Sequence, residues 1–176
     1  MGFELGPCQI LYGNVGGNQA NATDLGKTFG GVSLTIEESK QQLKSDQSGE
    51  APEDESITGT TVKVTASLAE FDLNSMAFIT KRTVSNNNNA LRLDVIANAG
   101  TSLMTNAKQV ILKPYENGVP SNNVNRWITL HKAGISATVD LVYDSTTQRV
   151  MKFEATGYPS ANNNNSICTF GNVAVA

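Results

Sequence analysis

The chain has 176 residues and a formal net charge of −3, and it contains 39% hydrophobic but only 16% charged residues. This length allows one domain with a substantial core, and the composition is typical of β structure with polar loops rather than of a helical bundle. The acidic balance excludes a simple basic surface for gripping nucleic acid, and no apolar run is long enough to cross a bilayer.

The N-terminal region and the cysteines bear on the cellular compartment. The first residues, MGFELGPCQI, lack the basic and apolar segments of a signal peptide, so we expect the protein to be made in a cytoplasm. Cys8 and Cys168 are too few for a structural zinc site, and a reducing compartment favours free thiols. The sequence leaves open whether the two thiols meet.

Two strands are predicted in the first 45 residues. The first covers residues 7–12 and ends at the turn sequence GNVGGN. The second contains Val32, Leu34 and Ile36, which alternate with polar residues as in a half-buried strand. The polar sequence ESKQQLKSDQ that follows can continue this strand outward from the body of the domain.

Between these strands, Gly26-Lys27-Thr28 matches the end of a phosphate-binding P-loop. The complete motif also needs a glycine five residues before its second glycine and a helix directly after it. Asn21 stands at the first of these positions, and a helix-breaking pair, Gly30-Gly31, follows the motif. We therefore predict a turn between two strands and no nucleotide site.

An acidic segment, residues 45–59, follows the second strand. It is longer than most connections between strands, and long loops in compact domains are usually functional or disordered. We therefore predict a long early inter-strand loop. Its carboxylates suit calcium, but the EF-hand spacing is absent. A solvated excursion and a loop that orders on a partner subunit are the alternatives.

The clearest strand is TTVKVTASLAEF, and the periodicity changes after it, at Asp72. Asp72 suits a helix N-cap, with Asn74 and Ser75 as alternatives. We predict a short flanking helix of about two or three turns that ends at SNNNNA. The apolar residues at helical spacing are Leu73, Met76, Ala77 and Phe78.

The rest of the chain is predicted to form strands, of which the last two long ones make a hairpin joined by YDSTTQ. The asparagine runs at 86–89 and 162–165 are predicted loop tips. The fold class is mainly β: a single domain over residues 1–176, a β-sandwich or barrel-like subunit with one short flanking α-helix. The predicted strands are residues 91–96, 109–112, 127–131, 136–142 and 149–155, with a final strand in SICTFGNVAVA.

The sequence contains no set of residues that predicts catalysis. His131 is the single histidine, and no nucleophile motif accompanies it. One histidine cannot supply a histidine cluster for a metal. Trp127 is the sole tryptophan, so the aromatic platform of a sugar-binding module is thin, and we assign Trp127 to the core. We predict no enzyme activity, no cofactor and no metal.

The order of elements in the N-terminal half carries a family resemblance. A short strand LGPCQILYG precedes the turn and strand DLGKTFGGVSLTIEES, and KSDQSGEAPEDESITG then leads into TTVKVTASLAEF and the helix. Over roughly residues 5–80, this order resembles the tail tube proteins (major tail proteins) of tailed bacteriophages. The matching points are Asp46-Gln47, Gly49, Pro52, Thr58-Gly59 and Leu68-Ala69-Glu70.

The resemblance implies a structural virion protein of the phage tail, assembled in the host cytoplasm. Such subunits form hexameric rings that stack into a hollow tube, and phage DNA passes through the lumen without specific binding. The implied partners are copies of the same chain, a tape measure protein, a tail terminator, and tail-tip or baseplate proteins.

The resemblance also implies roles for particular residues. The loop, residues 43–59, is expected to reach a neighbouring subunit or ring, and the flanking helix carries Asp72, Leu73, Met76 and Phe78. The expected contact residues of the loop are Leu43, Lys44, Asp46, Gln47, Glu50, Pro52, Glu53, Asp54 and Glu55.

Alternation in the last hairpin gives one polar face, which we take as the candidate lumen surface, with the apolar faces turned to the core. The candidate lumen residues are Ser136, Thr138, Asp140, Lys152 and Glu154. Two other functions stay open at this point. One is a different β-rich phage tail or injection-tube ring, such as a tail-completion protein, and the other is a monomeric carbohydrate-binding β-sandwich.

Overall fold

The computed structural model describes residues 6–17, 19–47, 50–70, 72–87, 90–95, 99–141, 143, 146 and 148–173. Within these residues the chain forms eleven strands and one α-helix, α1 (Leu73–Thr80). The strands are β1 (Cys8–Gly13), β2 (Thr23–Asp24), β3 (Thr28–Leu43), β4 (Asp54–Leu68), β5 (Val84–Asn87), β6 (Ala90–Leu93), β7 (Lys108–Glu116), β8 (Val119–Pro120), β9 (Ile128–Asp140), β10 (Val150–Gly157) and β11 (Cys168–Phe170).

Nine of these strands form one antiparallel sheet. The main order is β2-β1-β7-β9-β10-β4-β3, with β11 on β9 and β8 on β7. Strands β5 and β6 make a separate hairpin. The prediction of a mainly β fold with one short helix is confirmed for the described part of the chain.

Strand β9 is where the sheet turns. Residues 128–133 of β9 pair with β7, and residues 133–140 pair with β10. Strands β1 and β3 therefore approach each other, although they lie near opposite ends of the strand order. Ile10 of β1 packs in the same core as Val64 of β4. The sheet thus folds over on itself around a shared core, as the barrel-like prediction expected.

The alternation in β4 explains which face of the sheet is buried. Val62, Val64 and Leu68 are at most 2% exposed, while Lys63 and Thr65 lie on the opposite face. Period-two alternation places every second side chain in the core, where each contributes about 1.5–3 kcal/mol of burial. β10 follows the same rule, so the two strands present one apolar face to the core.

Helix α1 begins at Asp72, as predicted. The Asp72 Oδ2 atom accepts the backbone N–H groups of Asn74 and Ser75, each at 3.0 Å. These bonds satisfy amides that the first helical turn leaves without partners. The helix ends at Thr80, where Lys81 adopts a left-handed conformation (φ 57°). The prediction that the asparagine run ends the helix is therefore wrong, because the chain has already left the helix at Lys81.

Two predicted strands are in fact one. The sequence suggested a break between residues 131 and 136, but β9 continues through Gly134. A Cβ atom on Gly134 would stand 2.6 Å from Cε2 of Tyr158, so glycine here permits close packing. Glycine in a strand often marks such a close approach rather than a turn.

Several other predicted boundaries move. β7 extends to Glu116, well beyond the predicted end at residue 112, and β6 ends at Leu93. Asn86 and Asn87 belong to β5, and residues 88–89 lie outside the described residues, as does most of YDSTTQ. The second asparagine run is a turn, as predicted, with Asn164 and Asn165 in left-handed conformations that asparagine tolerates well.

Candidate functional site

The predicted loop is in large part a two-stranded arm. Strands β3 and β4 stay paired from Glu37 and Thr61 out to Leu43 and Asp54. Residues 37–43 and 54–60 are all exposed. At about 3.3 Å per residue, the arm extends about 20 Å beyond the body of the sheet. The expected outward continuation of the early strand is confirmed.

The arm corrects the prediction of a loop over residues 43–59, because residues 54–59 are strand and only residues 44–53 connect β3 to β4. Acidic, serine-rich sequences have low strand propensity, but ladder pairing with β3 overrides it here. Among the predicted contact residues, Leu43 ends β3, and Asp54 and Glu55 begin β4. The residues in the connection are Lys44, Asp46, Gln47, Glu50, Pro52 and Glu53.

The tip of the arm, residues 43–55, is held by its own hydrogen bonds. The Glu53 N–H donates to the Leu43 carbonyl at 2.9 Å, and Gln42 Nε2 donates to Glu55 Oε1 at 3.1 Å. The Ser45 hydroxyl donates to the Glu53 carboxylate. The tip is therefore an organised acidic surface in the isolated subunit.

The arm also exposes apolar side chains. Ile36 is 46% exposed, Leu43 48% and Ile57 58%. A bulge lies between Ser39 and Lys40, where the pairing register shifts. An isolated two-stranded ribbon is only marginally stable in water, and clustered apolar exposure marks contact surfaces. These features are those of a segment that gains contacts from another molecule.

Strand register brings four of the five candidate lumen residues together. Ser136 and Thr138 lie on β9, and Lys152 and Glu154 lie beside them on β10. Asp140 ends β9 opposite Val150, and the position of its side chain lies outside the described part. In order from β9 to β3, the two rows across the sheet are Ser136, Glu154, Thr65 and Ser33, and Thr138, Lys152, Ser67 and Phe29.

These rows form a shallow polar concavity of about 540 Å³ on the face opposite the core. We call this surface the polar face. Lys63 Nζ lies 3.5 Å from Glu154 Oε1, so the face pairs part of its own charge. Met151 and Phe153, between the polar residues of β10, are at most 3% exposed in the core. Thr65 and Ser67 were missed as candidates, although the alternation of TTVKVTASL places them on this face.

The four strands that carry the polar face have free edges on both sides. β3 ends the strand order, and no described strand pairs with its outer edge. β7 pairs with β9 only through residues 128–133, so among described residues no strand pairs with the outer edge of residues 134–140. Such edges present rows of N–H and C=O groups that favour pairing with another chain.

The helix residues named from the sequence serve packing. The Phe78 ring stacks on Tyr12 of β1 with 3.9 Å between ring centroids, and Met76 packs against the core. Leu73 is half-buried. Ile79, not singled out from the sequence, is the fully buried member of the helix. Its spacing of four residues from the buried Ser75 is the signal that could have identified it.

The histidine and cysteines have structural surroundings. His131 is 1% exposed, its Nε2 atom lies 2.7 Å from Thr169 Oγ1, and burial lowers its pKa below the ordinary value. Cys8 and Cys168 are free thiols. Burial raises the pKa of Cys8 to about 11 and raises the pKa of Cys168 as well. Burial therefore disfavours the thiolate at both positions.

Other features bear on binding functions. Trp127 is 8% exposed and donates from Nε1 to the Ser121 carbonyl at 2.8 Å, which confirms its assignment to the core. Across the described ranges, no group of three or more His, Cys, Asp or Glu side chains is placed to hold a metal ion. None of the helical residues described here makes a helix long and apolar enough to cross a membrane.

Comparison with known proteins gives two similar structures. No protein-family model and no curated protein sequence matches the chain. The chain is similar to a subunit of the PVC sheath–tube complex of an extracellular contractile injection system in its extended state, with a TM-score of 0.47 and 10% identity over 88% of this chain and 85% of that one. It is also similar to a chain of the anti-feeding prophage (AFP) baseplate, with a TM-score of 0.41 and 10% identity over 89% of this chain and 90% of that one.

Proposed function

We propose that the chain is a structural subunit of a phage tail tube, which assembles with copies of itself into rings that stack into a hollow tube. The observation that carries this proposal is the polar face on four strands with free edges on both sides. The order of motifs in the N-terminal half, which resembles tail tube proteins, supports it independently.

The free edges supply the lateral contact. When β3 of one subunit pairs with the second half of β9 in the next, the four-stranded sheets join into one larger barrel. Closure of a ring removes every exposed edge, which is the usual solution to the aggregation hazard of free strands. The polar face then lies on the inside of the barrel and the cores lie outside it. The hexameric number comes from the family resemblance.

The arm supplies the contact between rings. It extends beyond the sheet along the strand direction, and its apolar residues, such as Ile57, are exposed in the isolated subunit. A contact with the next ring buries these side chains and stabilises the two-stranded ribbon. The tube then grows because each ring presents the same surface to its successor.

The charges of the polar face suit a conduit for DNA. Lys63 is paired with Glu154, and Lys152 lies among hydroxyl side chains. A strongly basic lumen would bind phosphates and retain the DNA, while a mixed, hydroxyl-rich surface lets it pass. Within the virion, the proposed partners are a tape measure protein inside the tube, a terminator at one end, and tail-tip or baseplate proteins at the other.

The test is sedimentation velocity with negative-stain electron microscopy over a wide range of protein concentrations. The proposal predicts ring-sized particles that give way to hollow tubes as concentration rises. Rings that never stack would instead indicate a tail-completion or connector ring, and would contradict the tube assignment. A dispersed monomer at every concentration would contradict self-assembly altogether.

A further inference from the structure

A second pocket, separate from the polar face, lies beside the end of α1. We call it the basic pocket; its volume is about 330 Å³ and its walls include Lys81, Arg82 and Lys108. No carboxylate is among the described residues that line it. The helix C-terminus contributes roughly half a negative charge, so three cations leave the pocket with a positive potential.

The backbone fixes two of these cations in place. The Lys81 N–H donates to the Phe78 carbonyl at 3.2 Å, and the Arg82 N–H donates to the Ala77 carbonyl at 2.8 Å. This pattern closes the helix as a left-handed cap. Burial lowers the pKa of Lys81, and the neighbouring Arg82 charge lowers it further. A carboxylate in the pocket would offset this repulsion.

The tip of the arm has the opposite character. Between residues 43 and 59 there are five carboxylates and one lysine, Lys44. Asp46 and Glu50 lie in the connection, and Glu50 is exposed. The tip is thus an acidic knob, and the basic pocket is a partly enclosed cationic site. Complementary charges of this kind fix the register of an interface and exclude wrong partners.

The tip cannot reach the basic pocket of its own subunit. Ile135 lines the pocket and, through Ala155, lies level with Val64 in the sheet. Asp54, at the tip, is ten residues farther along β4, or about 33 Å away along the strand. The two charged surfaces therefore belong to different regions of the molecule, and their pairing requires a second copy.

We propose that the basic pocket receives the acidic tip of the arm from a neighbouring copy of this chain. This inference rests on the proposed tube function and adds the receptor for the arm. The contact is head-to-tail, because one subunit offers its tip and the next offers its pocket. Heterologous contacts of this type generate open stacks rather than closed dimers.

Zero-length crosslinking tests the contact directly. A carbodiimide joins a carboxylate to a lysine amine only when the two groups touch. In the assembled protein we expect amide links from Asp46 or Glu50 to Lys81 or Lys108, identified by mass spectrometry, and their loss after dissociation in high salt. Links from the pocket lysines to another segment, with none to the tip, would overturn the proposal.

Charge variants provide the second test. Lys81→Asn keeps a residue that tolerates the left-handed conformation but removes the charge, and Lys108→Glu reverses a charge. Each is expected to raise the concentration needed for stacking about tenfold. Arg149→Gln is the matched control, because the Arg149 guanidinium lies over the Tyr143 ring at 4.4 Å, outside the pocket. Glu50→Lys combined with Lys108→Glu is expected to restore stacking.

The outcomes separate this inference from the proposed function. Wild-type tubes together with pocket variants that stack at the wild-type concentration would overturn the pocket assignment and leave the tube function standing. Failure of the wild type to assemble would overturn both. Circular dichroism on each variant distinguishes a lost contact from a lost fold.

Discussion

Lys63 on β4 and Glu154 on β10 form an ion pair across two neighbouring strands of the polar face, with 3.5 Å between Nζ and Oε1. Both side chains are about two-fifths exposed, so solvent screens the attraction. In a double-mutant cycle with Lys63→Met and Glu154→Gln, we expect a coupling free energy of less than about 1 kcal/mol by urea denaturation. A larger coupling would mean that the pair is a structural anchor of the sheet.

The N-cap of α1 gives a sharper stability prediction. Asp72→Ala removes the acceptor of two backbone N–H groups, and we expect the free energy of unfolding to fall by about 1 kcal/mol. Asp72→Asn is the control, since asparagine caps helices about as well as aspartate. Equal stability of the Ala and Asn variants would contradict the capping role.

Removal of the tip tests the arm without disturbing the sheet. Because Leu43 pairs with Asp54, replacing residues 44–53 by Asn-Gly closes the arm with a two-residue turn. We expect a folded subunit with an unchanged melting temperature that no longer stacks into tubes. Normal tubes from this variant, seen by electron microscopy, would remove the tip from the inter-ring contact.

The buried histidine predicts a pH dependence of stability. Because burial lowers the pKa of His131, the unfolded chain binds a proton more readily than the folded one. The stabilisation is present above the unfolded pKa of about 6.5 and is lost as pH falls, by up to about 1.4 kcal/mol per pH unit. Denaturation of the wild type and His131→Gln between pH 5 and 7 isolates this effect, because the variant lacks the titrating group. Parallel curves would contradict it.

The sequence predicted what depends on local patterns. Alternation located β4 and its buried face, Asp72 marked the helix start, and the isolated Trp127 was assigned to the core. It did not predict that residues 54–59 form a strand, because their polar composition favours a loop and only pairing with β3 makes them extended. Gly134 was misread for a related reason: its role is set by contact with Tyr158, 24 residues later in the chain.

The candidate surfaces divide in the same way. Ser136, Thr138, Lys152 and Glu154 follow from period-two alternation in the last hairpin. Their alignment with Thr65 depends on the register of three strands, which no local pattern encodes. The basic pocket joins the helix end to the segment before β7, so its cations are too far apart in sequence to be seen as a cluster.

A reconstruction of assembled tubes by electron cryomicroscopy tests the central claim most directly. The account predicts that Ser136, Thr138, Lys152 and Glu154 line the inner surface, with β3 of each subunit paired to β9 of the next. Tubes or rings in which the polar face points outward, or lies buried between subunits, would contradict it.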